Sequence, residues 1–202
     1  MSNQPTNQPT NQPTNQPTNQ PTPLIRFAGY KNLWKWTQLK DIVDHHTSNL
    51  TFSDAKKQGK YFLYDAKEII GKTDKFVIKE NYISIIKDGD AGRLRFLPTN
   101  TAFCSTMSAL TSKNNFDIYF IYSLLSSYFP IESIISGTTI KHIYFKNYGQ
   151  FEYFVPSIKE QQKIAKVFKN IDNLLNLYEL KLQKIEMIKK SLLNKMFVQK
   201  GL

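Results

Sequence analysis

Residues 156–202 read PSIKEQQKIAKVFKNIDNLLNLYELKLQKIEMIKKSLLNKMFVQKGL, and after Pro156 no Pro or Gly interrupts them until Gly201. Ser157 and Glu160 form the S-x-x-E pattern of a capping box, in which each side chain satisfies a backbone N–H of the other residue. Beyond it, apolar residues recur at alternating spacings of four and three: Ile164, Phe168, Ile171, Leu175, Tyr178, Leu182, Ile185, Leu192 and Met196. Lys189 is the one polar residue in this series. A 3.5-residue repeat marks a seam between supercoiled helices. Val167, Leu174 and Ile188 form a second row that widens the apolar face. The spacing therefore predicts a single helix of about 43 residues, roughly 65 Å long at about 1.5 Å per residue. A helix of that length exceeds the width of a small domain and suits a spacer between two objects. It either pairs with a second helix or folds back on its own domain.

Upstream of the helix, the pattern changes to that of a compact mixed domain. HIYF (142–145) and QFEYFV (150–155) read as two last strands, and GTTIKH (137–142) before them is a polar turn. NFDIYFIYSLLSSYF (115–129) is apolar on most sides and reads as a buried helix that Pro130 ends. YFLY (61–64), KFVI (75–78), NYISIIK (81–87) and residues 101–110 are rich in aromatic and β-branched residues and read as strands. Residues 46–60 are polar and loop-like, with His45 and His46 at their start as surface or loop residues. Trp36 to Val43 suggests a short helical turn, with Trp34 and Trp36 as core anchors. The expected class is α+β: a compact mixed domain over 23–156, then one long coiled-coil-type helix over 157–202.

Residues 3–22 are five copies of Asn-Gln-Pro-Thr. Proline at every fourth position fixes φ and removes a donor, and nothing apolar is present to bury. Residues 1–22 are therefore expected to be a disordered, uncharged tandem repeat.

The chain of 202 residues carries a net charge of +11, unevenly spread. Residues 23–156 hold 17 basic and 12 acidic side chains, and residues 157–202 hold 10 Lys and 4 acids. This excess fits a polyanionic partner, most often nucleic acid, with a lysine-rich proteome as the lesser alternative. Cys104 is the single cysteine and lies in an apolar run, so no disulfide framework or cysteine metal site is expected. No stretch reaches 18 apolar residues and the N-terminus lacks an apolar signal region, which makes the cytoplasm the expected compartment. The glycines match neither a P-loop nor a dinucleotide fingerprint. No His/Asp/Glu group has metal-ligand spacing, and no serine stands in a nucleophile elbow. No Asn-Pro-Pro-aromatic motif of an amino-methyltransferase occurs.

Three blocks together carry a resemblance. PLIRFAGYKNLWKWTQLKDI (23–42) opens the domain with Ile-Arg-Phe, a glycine, tryptophans and a Leu-x-Asp-Ile end. GTTIKHI (137–143) precedes the last strands. VPSIKEQQKIAKVFKNIDNLL (155–175) and KLQKIEMIKKSLLNKMF (181–197) open and close the helix. In these blocks the chain resembles the specificity subunits of type I restriction-modification systems. The resemblance implies a non-catalytic subunit that reads double-stranded DNA and dictates where partner subunits methylate and cut. A methyltransferase subunit would bind S-adenosylmethionine, so this chain would need no cofactor, and a motor-nuclease subunit would cut. Members of the family usually hold two recognition domains apart with two antiparallel helices, and each domain reads half of a bipartite target.

One recognition domain and one helix make half of that pattern. The chain is thus expected to pair with its own copy through the helix, which makes the half-sites identical and inverted, or to pair with another half-subunit. The alternatives are a coiled-coil interaction protein whose charge is incidental and an inactive truncated relic.

For DNA contacts, three loops supply the candidates: Lys56, Lys57 and Lys60 in the first polar loop; Lys87, Arg93 and Arg95 in the turn KDGDAGRLR (87–95); and Thr138, Thr139 and Lys141 in the late turn. Lysines and arginines there would meet phosphates, and a few side chains would reach base edges in the major groove. The two glycines of 87–95 also fit a plain hairpin connection. The seam residues from Ile164 to Met196 are the expected dimer contact.

Overall fold

A computed structural model of the chain describes residues 22–75 and 78–197. The Asn-Gln-Pro-Thr repeat falls almost wholly outside the described residues, as do Phe76 and Val77 of the KFVI run. The elements are β1 (Lys35–Gln38), α1 (Leu39–Ile42), β2 (Val43–Thr47), β3 (Tyr61–Tyr64), β4 (Ile69–Thr73), β5 (Tyr82–Ile86), β6 (Leu94–Leu97), β7 (Thr101–Phe103), β8 (Met107–Ser112), α2 (Ile118–Ser127), α3 (Phe145–Tyr148), β9 (Glu152–Val155) and α4 (Ile158–Met196). The class is α+β with one long C-terminal helix, as the sequence predicts.

An antiparallel sheet ordered β2-β8-β5-β6 carries a hydrophobic core on each of its two faces. Its central strand β5 is buried at every position, so both faces of the strand lie under other elements. Ile83 and Ile85 face a core built with Leu39, Ile42, Leu110, Phe120, Ile121 and Leu125. Tyr82 and Ile86 point the other way, to Phe103, Met107 and Leu97. A second sheet, β4-β3-β7, pairs β3 with β7 in parallel and β3 with β4 in a hairpin. β1 and β9 form a separate antiparallel ribbon that joins the start of the domain to the strand before α4.

Several local expectations give way to tertiary pairing. Trp36–Val43 is a strand followed by one helical turn, because β9 offers β1 a ladder partner. Trp36 stays 56% exposed, its ring tilted by 54° against Phe154 at 4.2 Å and its N–H donating to Glu152, and is therefore no core anchor. Trp34 is half-buried, with its ring edge-on to Phe120 at 6.3 Å. His45 and His46 lie in β2 against β8, not in a loop. His46 shares a 2.8 Å hydrogen bond with Thr111, and His45 stacks flat on Phe145 at 4.4 Å. HIYF is not a strand: Ile143 is buried, and Phe145 opens the turn of α3. Residues 101–110 split into β7 and β8 around a turn at Cys104–Thr106.

α2 begins where Asp117 accepts hydrogen bonds from the N–H groups of Tyr119 and Phe120, both at 2.9 Å. It packs on the root of α4, where Tyr119 donates to Asp172 at 2.6 Å. Beyond Asp172 the helix leaves the domain, and every described residue from Asn173 to Phe197 is exposed. The fold-back arrangement is therefore not what forms. α4 runs 39 residues, about 58 Å. Ser157 is its N-cap, but the side chain makes no capping bond. Glu160, expected to close the capping box, is 2% exposed and turns instead to Arg26, whose Nε and Nη2 donate to its two oxygens at 2.7 and 2.8 Å. Gln161, also buried, accepts from the Asp117 N–H at 2.9 Å and donates to the Pro156 carbonyl at 2.9 Å. One acid and one amide thus fasten the helix to the domain at three points of the chain.

Candidate nucleic-acid interface

The turn between β5 and β6 is shaped by two glycines. Gly89 and Gly92 both have φ of +91°, where L side chains are strained, and a Cβ on Gly92 would lie 2.1 Å from Ile131 Cδ1. This backbone lets the turn dock on the late turn. The Gly89 N–H donates to the Lys141 carbonyl at 2.9 Å, and the Ile143 N–H donates to the Lys87 carbonyl at 3.0 Å. The Asp88 carboxylate meets His142 Nδ1 at 2.7 Å. Ser136 and His142 close the late turn with reciprocal backbone bonds of 3.0 and 2.8 Å. Thr138, Thr139 and Lys141 stand exposed on the resulting tip. Two of the three predicted loops are therefore one surface.

Lys87 is half-buried with its ammonium 4.0 Å from Asp88. Arg93 pairs with Asp90 at 2.9 Å and also donates to the Ala66 carbonyl. Arg95 donates to the Asp65 carbonyl at 3.1 Å and lies over the Tyr64 ring at 5.3 Å. Both arginines thus hold the β3–β4 turn, and Lys67 and Glu68 stand exposed on that turn. Lys67 is a cation of the same surface that sequence reasoning missed. Only the tertiary reach of Arg93 and Arg95 places it there.

The first polar loop sits elsewhere. Lys56 pairs with Lys72 through two backbone bonds of 2.8 and 2.9 Å, and the Lys60 N–H donates to Asp74 at 3.1 Å. These residues flank the open end of the β3–β4 hairpin, about 10–13 Å along the strands from the turn that the arginines hold. Lys56, Lys57 and Lys60 are exposed there beside Phe52, Phe62 and Lys72, whose ammonium lies 5.2 Å from the Phe62 ring centre. Asp54 takes Lys75 at 2.5 Å, and this hydrogen bond holds its carboxyl down at about 2. Phe52, Phe62 and Lys75, all exposed, and the half-buried Lys72 are further aromatic and basic groups that the sequence reading did not single out.

The helix seam divides at the domain surface. Ile164 is half-buried against the domain core, so it belongs partly to the chain's own fold. From Phe168 to Met196 the seam is open: Phe168, Ile171, Leu175, Tyr178, Leu182, Ile185, Leu192 and Met196 are 45–72% exposed. Val167, Leu174 and Ile188 are exposed beside them.

Residues 31–187 match the family model of the type I restriction modification DNA specificity domain. The chain belongs to this family. Residues 2–23 match the PT disordered repeat model. The specificity domain is similar to the MjaVIII type I restriction enzyme specificity subunit of Methanocaldococcus jannaschii, 29% identical over 66% of this chain and 32% of the relative. It is also similar to the crystal structure of a type I restriction-modification S subunit from M. genitalium. There the identity is 27% and the TM-score 0.66, over 84% of this chain and 46% of that one. The HsdS subunit of Thermoanaerobacter tengcongensis shares the fold at 15% identity and a TM-score of 0.53, over 88% of this chain and 47% of the other. The specificity domain described here thus spans a third to under a half of the length of these relatives. Among its described residues no helix is long and apolar enough to cross a membrane, and no group of three His, Cys, Asp or Glu side chains could hold a metal.

Proposed function

We propose that the chain is a non-catalytic specificity subunit of a type I restriction-modification system. Residues 23–156 read double-stranded DNA, and α4 holds two such readers apart. The observation that supports this best is the coincidence of the family match with a free apolar seam of about 43 Å between Phe168 and Met196. On this reading, the joined turns at 87–95 and 137–142 and the Lys67 tip face one DNA groove. Thr138 and Thr139 reach base edges, and Lys141, Lys87 and Lys67 meet phosphates. Arg93 and Arg95 act mainly by holding the β3–β4 turn. The patch at Lys56, Lys57, Lys60, Lys72 and Lys75 follows the backbone further along.

Pairing follows from the seam. Burying eight half-exposed apolar side chains on each of two helices contributes on the order of 15 kcal/mol. This is enough to offset an association cost of about 4–15 kcal/mol. A second copy is the simplest partner, and its two-fold symmetry gives inverted, identical half-sites. The methyltransferase subunit would bind S-adenosylmethionine and transfer the methyl group, and a motor-nuclease subunit would cut.

The test is a salt titration of DNA binding by this chain in complex with its methyltransferase. Affinity should fall by roughly 10³-fold or more between 50 and 200 mM salt if six or more phosphates are neutralised. Binding that ignores salt would favour a plain interaction protein.

A further inference from the structure

The β3–β4 turn, residues 65–68, is tied to its surroundings through its backbone. The Asp65 N–H donates to the Glu68 carbonyl at 2.9 Å. Arg93 and Arg95 donate to the Ala66 and Asp65 carbonyls, and the Asp65 carboxylate accepts from the Thr106 hydroxyl at 3.1 Å. These bonds fix the course of the turn and leave the Lys67 and Glu68 side chains exposed. A side chain on so fixed a backbone has little left to order when it meets a ligand.

The turns at 65–68, 87–95 and 136–142 carry four acids. Three of them hold the turns: Asp65 takes Thr106, Asp88 takes His142 at 2.7 Å, and Asp90 takes Arg93 at 2.9 Å. Glu68 is the fourth, and among the described residues its carboxylate meets no cation and no hydrogen-bond donor. It stands next to Lys67, on the surface that also gathers Lys87 and Lys141.

A free carboxylate on such a surface repels the phosphates of any DNA, whatever its sequence. One group of the bases reverses that sign. An ionised carboxylate only accepts hydrogen bonds. In the major groove cytosine offers a donor alone, its N4 amino group. Guanine offers acceptors, thymine an acceptor and a methyl, and adenine sets its N7 acceptor beside its N6 donor. A carboxylate at the base edges therefore gains from cytosine and is repelled by guanine and thymine. A hairpin turn suits this position, because the major groove admits a two-stranded ribbon.

We propose that Glu68 is a specificity-determining residue that accepts a hydrogen bond from the N4 amino group of one cytosine in the major groove. The proposal rests on the DNA-reading function put forward above and adds one base of the target and the residue that reads it. Lys67 anchors the same turn on a phosphate, so anchor and reader sit side by side.

The experiment offers the full chain, in complex with its methyltransferase, a pool of duplexes with randomised positions and sequences those that bind. Glu68→Gln should lose ten- to a hundredfold of the preference for cytosine at one position and shift it toward adenine, whose N6 and N7 suit an amide, by roughly the weight of one base contact. Preferences at the other positions should stay as they are. A duplex with inosine in place of the guanine of that pair should bind like the original, because it keeps cytosine N4 and lacks only the minor-groove amino group. Glu68 is exposed, so the melting temperature should not change. If Glu68→Gln tightens binding to every duplex by one common factor and leaves the motif unchanged, Glu68 is a plain surface charge and the proposal falls. Weak binding of the inosine duplex would place the contact in the minor groove and overturn cytosine reading. A loss of preference spread over the whole motif would make the role structural and overturn it too. A wild-type complex that selects no motif would overturn the DNA-reading function as well.

Discussion

Arg26 grips both carboxylate oxygens of Glu160 across 134 residues of chain, and this contact joins the arm that opens the described domain to the base of its long helix. Glu160 is 2% exposed, whereas the Arg26 side chain is 14% exposed. Removing the arginine strands a buried carboxylate, while removing the acid leaves a cation that water can still reach. Arg26→Ala should therefore lower the melting temperature more than Glu160→Ala, and the double substitution should cost less than the sum of the two. A thermal double-mutant cycle checks both statements.

Gly89 and Gly92 share the same φ but not the same surroundings. Gly89→Ala meets open space and should cost only the left-handed strain, about 1–2 kcal/mol. Gly92→Ala must also displace Ile131 and should cost more, roughly 2–4 kcal/mol. Urea unfolding of the two variants gives the comparison.

His45 carries the pH dependence of the β2 edge. Burial first, then His46 and Lys87, push its pKa below the usual histidine range, so the fold favours the neutral ring. A lowered folded-state value means that the unfolded chain binds more protons, and stability falls as pH drops from about 6.5 through the folded value. His45→Phe keeps the stack on Phe145 and should flatten stability between pH 7 and pH 5, measured by denaturant midpoints at each pH.

Leu175 and Leu182 are each 56% exposed, so aspartate at either position leaves the isolated fold intact. In a paired seam each places a charge in an apolar layer of both helices. Dissociation constants should rise by on the order of 100-fold or more per site. Sedimentation at several concentrations, with circular dichroism to confirm unchanged helix content, is the check.

The helix was legible because its signal is local. A seven-residue repeat needs no knowledge of the rest of the chain, and the apolar run of β5 likewise betrays burial on both faces. Contacts made across the sequence were not legible. Glu160 sits where a capping box places an acid, and nothing within the helix tells it apart from a capping residue; Arg26 decides the matter. β1 and β2 read as a helical turn and a loop because Thr37, Gln38 and the two histidines are polar, and only β9 and β8 make them strands. Around the candidate site, the turns that carry Lys87 and Thr138, Thr139 and Lys141 meet because Gly89 and His142 dock one turn on the other, and no local pattern in either turn announces that contact. Lys56, Lys57 and Lys60 stand apart, because the hairpin that separates them from the other loops has no local marker in the intervening residues.

Charge substitutions separate phosphate contacts from base readers. Lys141→Ala and Lys67→Ala should each weaken binding to all DNA and reduce the salt slope by about one. Thr138→Ala and Thr139→Ala should leave the slope unchanged and relax the preference at one base pair, by about 1–3 kcal/mol. Fluorescence titrations against matched and mismatched duplexes distinguish the two effects.

The central claim is that one recognition domain, doubled through α4, reads a split target. Modified-base sequencing of DNA from cells that co-express this chain with its methyltransferase tests that claim most directly. The account predicts one methylated motif made of two identical, inverted half-sites with a fixed gap between them, lost when Leu175 and Leu182 are both aspartate. No methylated motif, or a motif whose two halves differ, would contradict it.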